Sequence, residues 1–145
     1  MNEMLFSIAI NAAKERVWAT LWQDATFRDW ASIIDPETYK VGDLQEGNEI
    51  QFISTANGYG VTSLAETVRP GEFLRLRHRA DTQETGSRER EPQWTGSAET
   101  YTLAEEDGVT TLAVAIGVPP ELEEYFEDAY PKALQRVKEL AEREP

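Results

Sequence analysis

The sequence contains a single histidine, and its setting suggests chemistry. His78 lies in an alternating stretch, Phe73 to Ala80, where Leu74, Leu76 and His78 share one face and Arg75, Arg77 and Arg79 the other. An imidazole on an apolar face needs polar partners, and two acids can supply them. Glu99 falls on the apolar side of the stretch Thr95 to Leu103, beside Tyr101 and Leu103. Glu66 lies in Gly60 to Val68, and its direction depends on the turn that follows. If Arg69 to Phe73 form a five-residue loop, Leu64 faces His78 and Glu66 faces Leu76, so Glu66 points inward. If Pro70-Gly71 is a tight two-residue turn, Glu66 faces Arg75 on the outer surface as an ion pair. The first register buries Leu64 and Val68 and is the expected one.

That register gathers Glu66, His78 and Glu99 on three successive strands inside an apolar surround. A carboxylate so placed has a raised pKa, and a neighbouring imidazole can share its proton, which is how general acids and bases are built. These three are the catalytic candidates. The plainer expectation is that they satisfy one another or orient a ligand. Other chemistries lack their residues. One histidine cannot make a two-histidine metal site or a HExxH helix, and the absence of cysteine removes thiol nucleophiles, thiolate metal sites and disulfides. Neither metal nor cofactor is expected.

The elements that position these groups follow from hydrophobic period. Met4 to Ile10 alternates as a half-buried strand. Asn11 offers an N-cap for a short helix, Ala13 to Trp22, and Asp24 one for a second, Ala25 to Ala31. Strands are then expected over Thr38 to Leu44, Glu49 to Ala56, Gly60 to Val68, Phe73 to Ala80, Thr95 to Leu103 and Val109 to Val118. Turns are expected at Glu46-Gly47-Asn48, Asn57-Gly58 and Glu105 to Gly108. With the last of these as a four-residue loop, Tyr101 lies opposite Leu112 and Glu99 opposite Val114. Asp81 to Gln93 reads as a long loop or a hairpin extension. After Pro119-Pro120 the period becomes helical through Leu122, Phe126, Ala129 or Tyr130, Ala133, Val137 and Leu140, predicting a long C-terminal helix. The reading is one domain over 1–145, in the α+β class.

Composition limits the partners. The chain has 27 acidic and 14 basic residues, a net charge of -13, with 40% hydrophobic residues and four tryptophans. It is a folded globule with an anionic surface, which disfavours nucleic acid and anionic membranes. Met1 to Ile10 has no basic start followed by a long apolar run, nowhere do eighteen apolar residues occur in succession, and cysteine-free composition suits a reducing compartment, so a cytoplasmic location is expected.

The stretch Ile8 to Trp22 with Phe27 and Trp30 resembles the opening of the START-like (SRPBCC) superfamily, nearest the branch homologous to the activator of the heat-shock-protein-90 ATPase. Asp43 to Asn48, Val68 to Leu74 and Gly108 to Leu112 are similar to later turns of that branch. The resemblance implies a helix-grip fold, in which a curved antiparallel sheet wraps the C-terminal helix and encloses a cavity that takes apolar molecules in relatives. It does not imply one reaction. The expected function is binding of a small hydrophobic ligand of lipid, polyketide or aromatic type, with no protein partner assigned. The alternatives are an enzyme of the cyclase or dehydratase type and a chaperone-interaction module. Expected ligand contacts are Trp30, Phe52, Leu64, Leu76, His78, Glu99, Tyr101, Leu112, Val114, Phe126 and Tyr130. Tyr39, Tyr59 and Trp94 are further candidates for lining or mouth, and Trp18 and Trp22 are expected in the core.

Overall fold

In the computed structural model, which describes residues 1–56, 58–83, 88–89 and 92–143, the alternating segments pair into one antiparallel sheet. Its strands are β1 (Asn2–Ile10), β2 (Thr38–Val41), β3 (Glu49–Ser54), β4 (Tyr59–Arg69), β5 (Phe73–Gln83), β6 (Arg88–Glu89), β7 (Ala98–Glu106) and β8 (Val109–Val118). Helices α1 (Lys14–Trp22) and α2 (Asp24–Ala31) follow β1. A 3-10 turn, Pro120–Leu122, leads into α3 (Glu123–Glu142). The strand order is β1-β8-β7-β5-β4-β3-β2, with β6 paired to the far end of β5, and the sheet curls into a half-barrel. This is the expected α+β helix-grip arrangement. Its logic is the pairing of β1 with β8, from Asn2 opposite Val118 to Ile10 opposite Thr110. That pairing leaves α3 to run back across β1, α1 and α2.

Alternation sets the two sides of the sheet. Along β1, Ile10 is fully buried whereas Leu5 is 73% exposed. Ile10, Leu74, Leu112, Val114 and Val118 from the sheet join Val17 and Leu21 of α1 and Ala133, Leu134, Val137 and Ala141 of α3 in a sealed core. Burying a side chain of this size contributes roughly 1.5–3 kcal/mol, so this end of the molecule carries much of the stability.

Several boundaries differ from expectation for local reasons. Ala13, not Asn11, is the N-cap of α1 and makes no side-chain cap bond. The Asn11 N–H instead donates to the Glu142 carboxylate at the end of α3. Asp24 is the first residue of α2, with Gln23 as the cap. Strand β2 ends at Val41, followed by Gly42 at φ +109°, where a Cβ would stand 2.9 Å from the Glu49 carbonyl oxygen. β3 ends at Ser54, and Asn57 of the expected Asn57-Gly58 turn lies outside the described residues. The stretch from Asp81 extends a hairpin, because β5 continues to Gln83 and β6 pairs with it; residues 84–87, 90 and 91 lie outside the described residues.

Two registers matter for the site. Asp107 and Gly108, both at positive φ, form a two-residue turn in place of the expected four-residue loop. Glu99 therefore faces Ile116 and Tyr101 faces Val114. The shift is by two residues, so every side chain keeps its expected face. Between β4 and β5, Val68 faces Leu74, as the five-residue loop requires, but the ladder then shifts and Ala65 faces Leu76. Glu66 is the extra residue of a β-bulge. The bulge reverses the parity of the rest of β4, so Leu64 pairs with Arg77 and Ser63 with His78. Glu66 and Leu64 are thus both removed from the inner face, which corrects the expected inward register.

Candidate functional site

Where the sealed core ends, a cavity of about 450 Å³ opens between the sheet, α2 and the N-terminal half of α3. Cross-strand rows define its boundary. The row Leu103 and Leu112 is sealed; the next, Leu74, Tyr101 and Val114, contributes only Tyr101; the row Leu76, Glu99 and Ile116 lines the cavity throughout. On α3, Phe126 and Tyr130 line it, while Ala133, Leu134 and Val137 close the core behind them.

Of the expected ligand contacts, Trp30, Phe52, Leu76, His78, Glu99, Tyr101, Phe126 and Tyr130 line this space, as do Tyr59 and Trp94. Leu112 and Val114 are buried in the core instead, because α1 and the C-terminal half of α3 cover their rows. Leu64 is on the outer side. Glu66 is also outside, its Oε1 accepting from Arg75 Nε and its Oε2 from Arg77 Nε, each at 2.8 Å. The bonds from Arg77 and Arg75 hold its carboxyl below the usual range. Tyr39 is absent from the lining, where Trp22 is present. Trp22 belongs to the wall as well as the core, packing edge-on to Tyr101 at 4.9 Å between centroids.

A hydrogen-bonded chain crosses the polar side of the cavity. Ser63 Oγ is 2.6 Å from His78 Nδ1, and His78 Nε2 is 3.0 Å from Glu99 Oε1. The Tyr101 hydroxyl donates to Glu99 Oε2 at 2.8 Å and lies 2.7 Å from the Tyr130 hydroxyl. With the Glu99 carboxylate as common acceptor, the His78 Nε2–H and the Tyr101 hydroxyl donate to it, and the Tyr130 hydroxyl donates to Tyr101. Burial, followed by the Glu99 charge, pushes the Tyr101 hydroxyl well above its ordinary pKa, and the same two causes raise Tyr130. Both phenols therefore remain protonated donors. The His78 side chain is 2% exposed and that of Glu99 16%, so the carboxylate is the more accessible of the pair.

Ser, His and Glu in hydrogen-bond contact resemble a nucleophile, base and orienting acid. The placement argues against that role. Ser63 is fully buried and does not line the cavity, so its hydroxyl sits behind the imidazole and fixes its orientation. The inner position of Ser63 arises from the bulge at Glu66, which no side-chain period reveals.

The remaining wall is built on a clamp. The Asp81 carboxylate, in a residue 1% exposed, accepts bonds from the N–H groups of Gln93, Trp94 and Thr95 and from the Thr95 hydroxyl. Burial raises its pKa, but these donors outweigh that and hold it below the ordinary value. The clamp is why β7 begins at Ala98 and not Thr95. It presents Trp94 with its ring centroid 5.9 Å from His78 and 5.3 Å from Phe126. The half-exposed Tyr59 and Tyr125 also line the cavity, and the Tyr125 hydroxyl donates to the Ile34 carbonyl. A bidentate pair, Arg136 to Asp29 at 2.7 and 2.9 Å, ties α2 to α3.

No family model matches the chain, and no curated protein matches it. Solved structures do. The solution structure of the Aha1 dimer from Colwellia psychrerythraea is 16% identical with a TM-score of 0.74, over 98% of this chain and 97% of that one. The fold is that of the START-like (SRPBCC) proteins. Protein CV1439 from Chromobacterium violaceum shares this START-like fold at 17% identity and a TM-score of 0.71, over 99% of this chain and 100% of that one. DynU16, from the dynemicin biosynthetic locus, matches at 13% identity and a TM-score of 0.67, over 96% of this chain but 46% of its own. No helix among the described residues is long and apolar enough to cross a membrane.

Proposed function

We propose that this chain is a single-domain binding protein that encloses a small apolar molecule between its sheet and α3. The observation that carries the reading is the cavity of about 450 Å³ walled by Trp22, Phe27, Trp30, Phe52, Trp94 and Phe126, with His78, Glu99 and two tyrosines converging at one side. A concave apolar wall with a few fixed polar groups is how small-molecule sites are usually built. The START-like fold supports the reading, as does the presence of the same fold in a protein from a biosynthetic locus. It invokes no cofactor. The anionic surface supports a small-molecule partner over nucleic acid.

The proposal is tested by thermal shift across lipids, polyketide-like compounds and aromatic molecules, with native mass spectrometry of the purified protein for a co-purifying ligand. A saturable rise in melting temperature with one class is the expected result. No shift with any compound and no bound mass would overturn the proposal.

The hydrogen-bonded chain favours a second reading, acid–base catalysis on the enclosed molecule. Glu99 would take a proton from the enclosed molecule, with His78 and Tyr101 hydrogen-bonded to it. Under that reading His78→Ala abolishes turnover of a bound compound. A variant that only weakens binding rejects it.

A further inference from the structure

Resting on the ligand-binding reading, we infer that the cavity selects an apolar ligand bearing a protonated amine, and that Glu99 is its counterion. Charge is the first argument. The lining includes Glu99, and among the described residues that line it there is no lysine or arginine. The Lys40 ammonium lies 5.3 Å from the Phe27 ring centroid and is not part of the lining. An apolar anion such as a fatty acid would be desolvated beside the Glu99 carboxylate, with no lysine or arginine among the described lining residues to answer it.

Valence is the second argument. A carboxylate has about four acceptor sites. The Nε2–H of His78 and the Tyr101 hydroxyl each take one, on different oxygens. Each oxygen keeps an acceptor site for a further donor, and the side chain is 16% exposed. The two tyrosines cannot fill that role for an anion, because their hydroxyl protons are already directed along the chain toward Glu99.

Aromatic placement is the third. Trp94, Phe126 and Tyr130 form a continuous wall, with centroids 5.3 Å apart for Trp94 and Phe126 and 6.0 Å for Phe126 and Tyr130. The wall begins against His78 and ends at the hydroxyl chain leading to Glu99. Aromatic rings and a carboxylate at one end of an apolar cavity suit an organic ammonium, which the carboxylate holds by a charge-assisted hydrogen bond and the rings favour by cation–π attraction. The net charge of -13 adds a long-range attraction for cations.

The test is a matched series of 1-aminodecane, 1-decanol and decanoate, titrated near neutral pH and followed by tryptophan fluorescence. The amine is expected to bind at least about tenfold more tightly than the alcohol, with decanoate weakest. In Glu99→Gln the amine should fall to within about threefold of the alcohol, while alcohol affinity is kept. Decanoate binding as tightly as the amine, or an unchanged amine-to-alcohol ratio in Glu99→Gln, would overturn the inference. Equal binding of all three overturns it and leaves the cavity reading standing; binding of none overturns both. Should Glu99→Gln not fold, the unmodified protein still decides through its own series. Trp94→Leu, which keeps the wall apolar, is then expected to reduce the amine's preference several-fold.

Discussion

His78 Nε2 stands 3.0 Å from Glu99 Oε1, and the two side chains lie diagonally on adjacent strands of the inner face. This contact joins the core to the cavity. Its imidazole is held from behind by Ser63, and its carboxylate receives Tyr101 from the other side. Removing different members of the chain has different consequences.

His78→Ala strands the fully buried Ser63 hydroxyl and takes one donor from Glu99. A loss of about 2–3 kcal/mol in urea unfolding is expected, since a buried polar group left unsatisfied costs its full desolvation. Ser63→Ala removes the hydroxyl itself and should cost only about 1 kcal/mol. It should leave ligand affinity within about twofold, because Ser63 does not line the cavity. A Ser63→Ala variant that no longer binds would show that the serine acts directly on the ligand.

The two buried tyrosines are not equivalent. Tyr101 both donates to Glu99 and contacts Tyr130, whereas the Tyr130 hydroxyl has Tyr101 as its partner. Tyr101→Phe therefore leaves two groups short and should cost about 2 kcal/mol, against about 1 kcal/mol or less for Tyr130→Phe. Equal losses in denaturant unfolding would contradict the assigned proton order.

Acid should destabilise the protein through Asp81. Its folded pKa lies below the unfolded value, so its contribution is present above the unfolded pKa and is lost as pH falls through the folded one. Asp29 and Glu66, also lowered by their arginine partners, act in the same direction. Unfolding free energy is expected to fall below about pH 4. Asp81→Asn should be less stable at neutral pH and show a shallower slope in that acid range. Because Asp81 holds Trp94 against His78, the same variant should also change Trp94 fluorescence. An acid slope identical to that of the unmodified protein would remove Asp81 from this account.

Glu66→Ala should leave cavity binding unchanged. The residue faces outward to Arg75 and Arg77, whose side chains are more than a third exposed. Exposed pairs of this kind contribute at most about 1 kcal/mol. Loss of ligand binding in this variant would restore the inward register that the bulge excludes.

These outcomes also show what could be read from residue order. Alternation placed His78 and Glu99 on one face correctly, and it survived an error in the β7–β8 turn because a shift of two residues preserves parity. It failed at Glu66 because a single extra residue reverses parity, and bulges have no periodic signal. That one event moved Glu66 and Leu64 outward and brought Ser63 to the imidazole. Apolar period also cannot separate a filled row from an open one. Leu112, Val114 and Ile116 share a face of β8, yet only Ile116 meets the cavity, because the reach of α1 and α3 decides where packing stops. Trp22 was hidden for the same reason, since one indole serves both the helix stripe and the cavity wall.

The central claim is that an apolar molecule occupies this space, and the four tryptophans provide a direct readout. Trp22, Trp30 and Trp94 line the cavity, whereas Trp18 packs beside the core outside it. In a nitrogen-15 NMR titration with 1-decanol, the indole N–H resonances of Trp22, Trp30 and Trp94 should shift saturably, with Trp18 moving least. No saturable shift in any of them, or the largest shift at Trp18, would contradict the account.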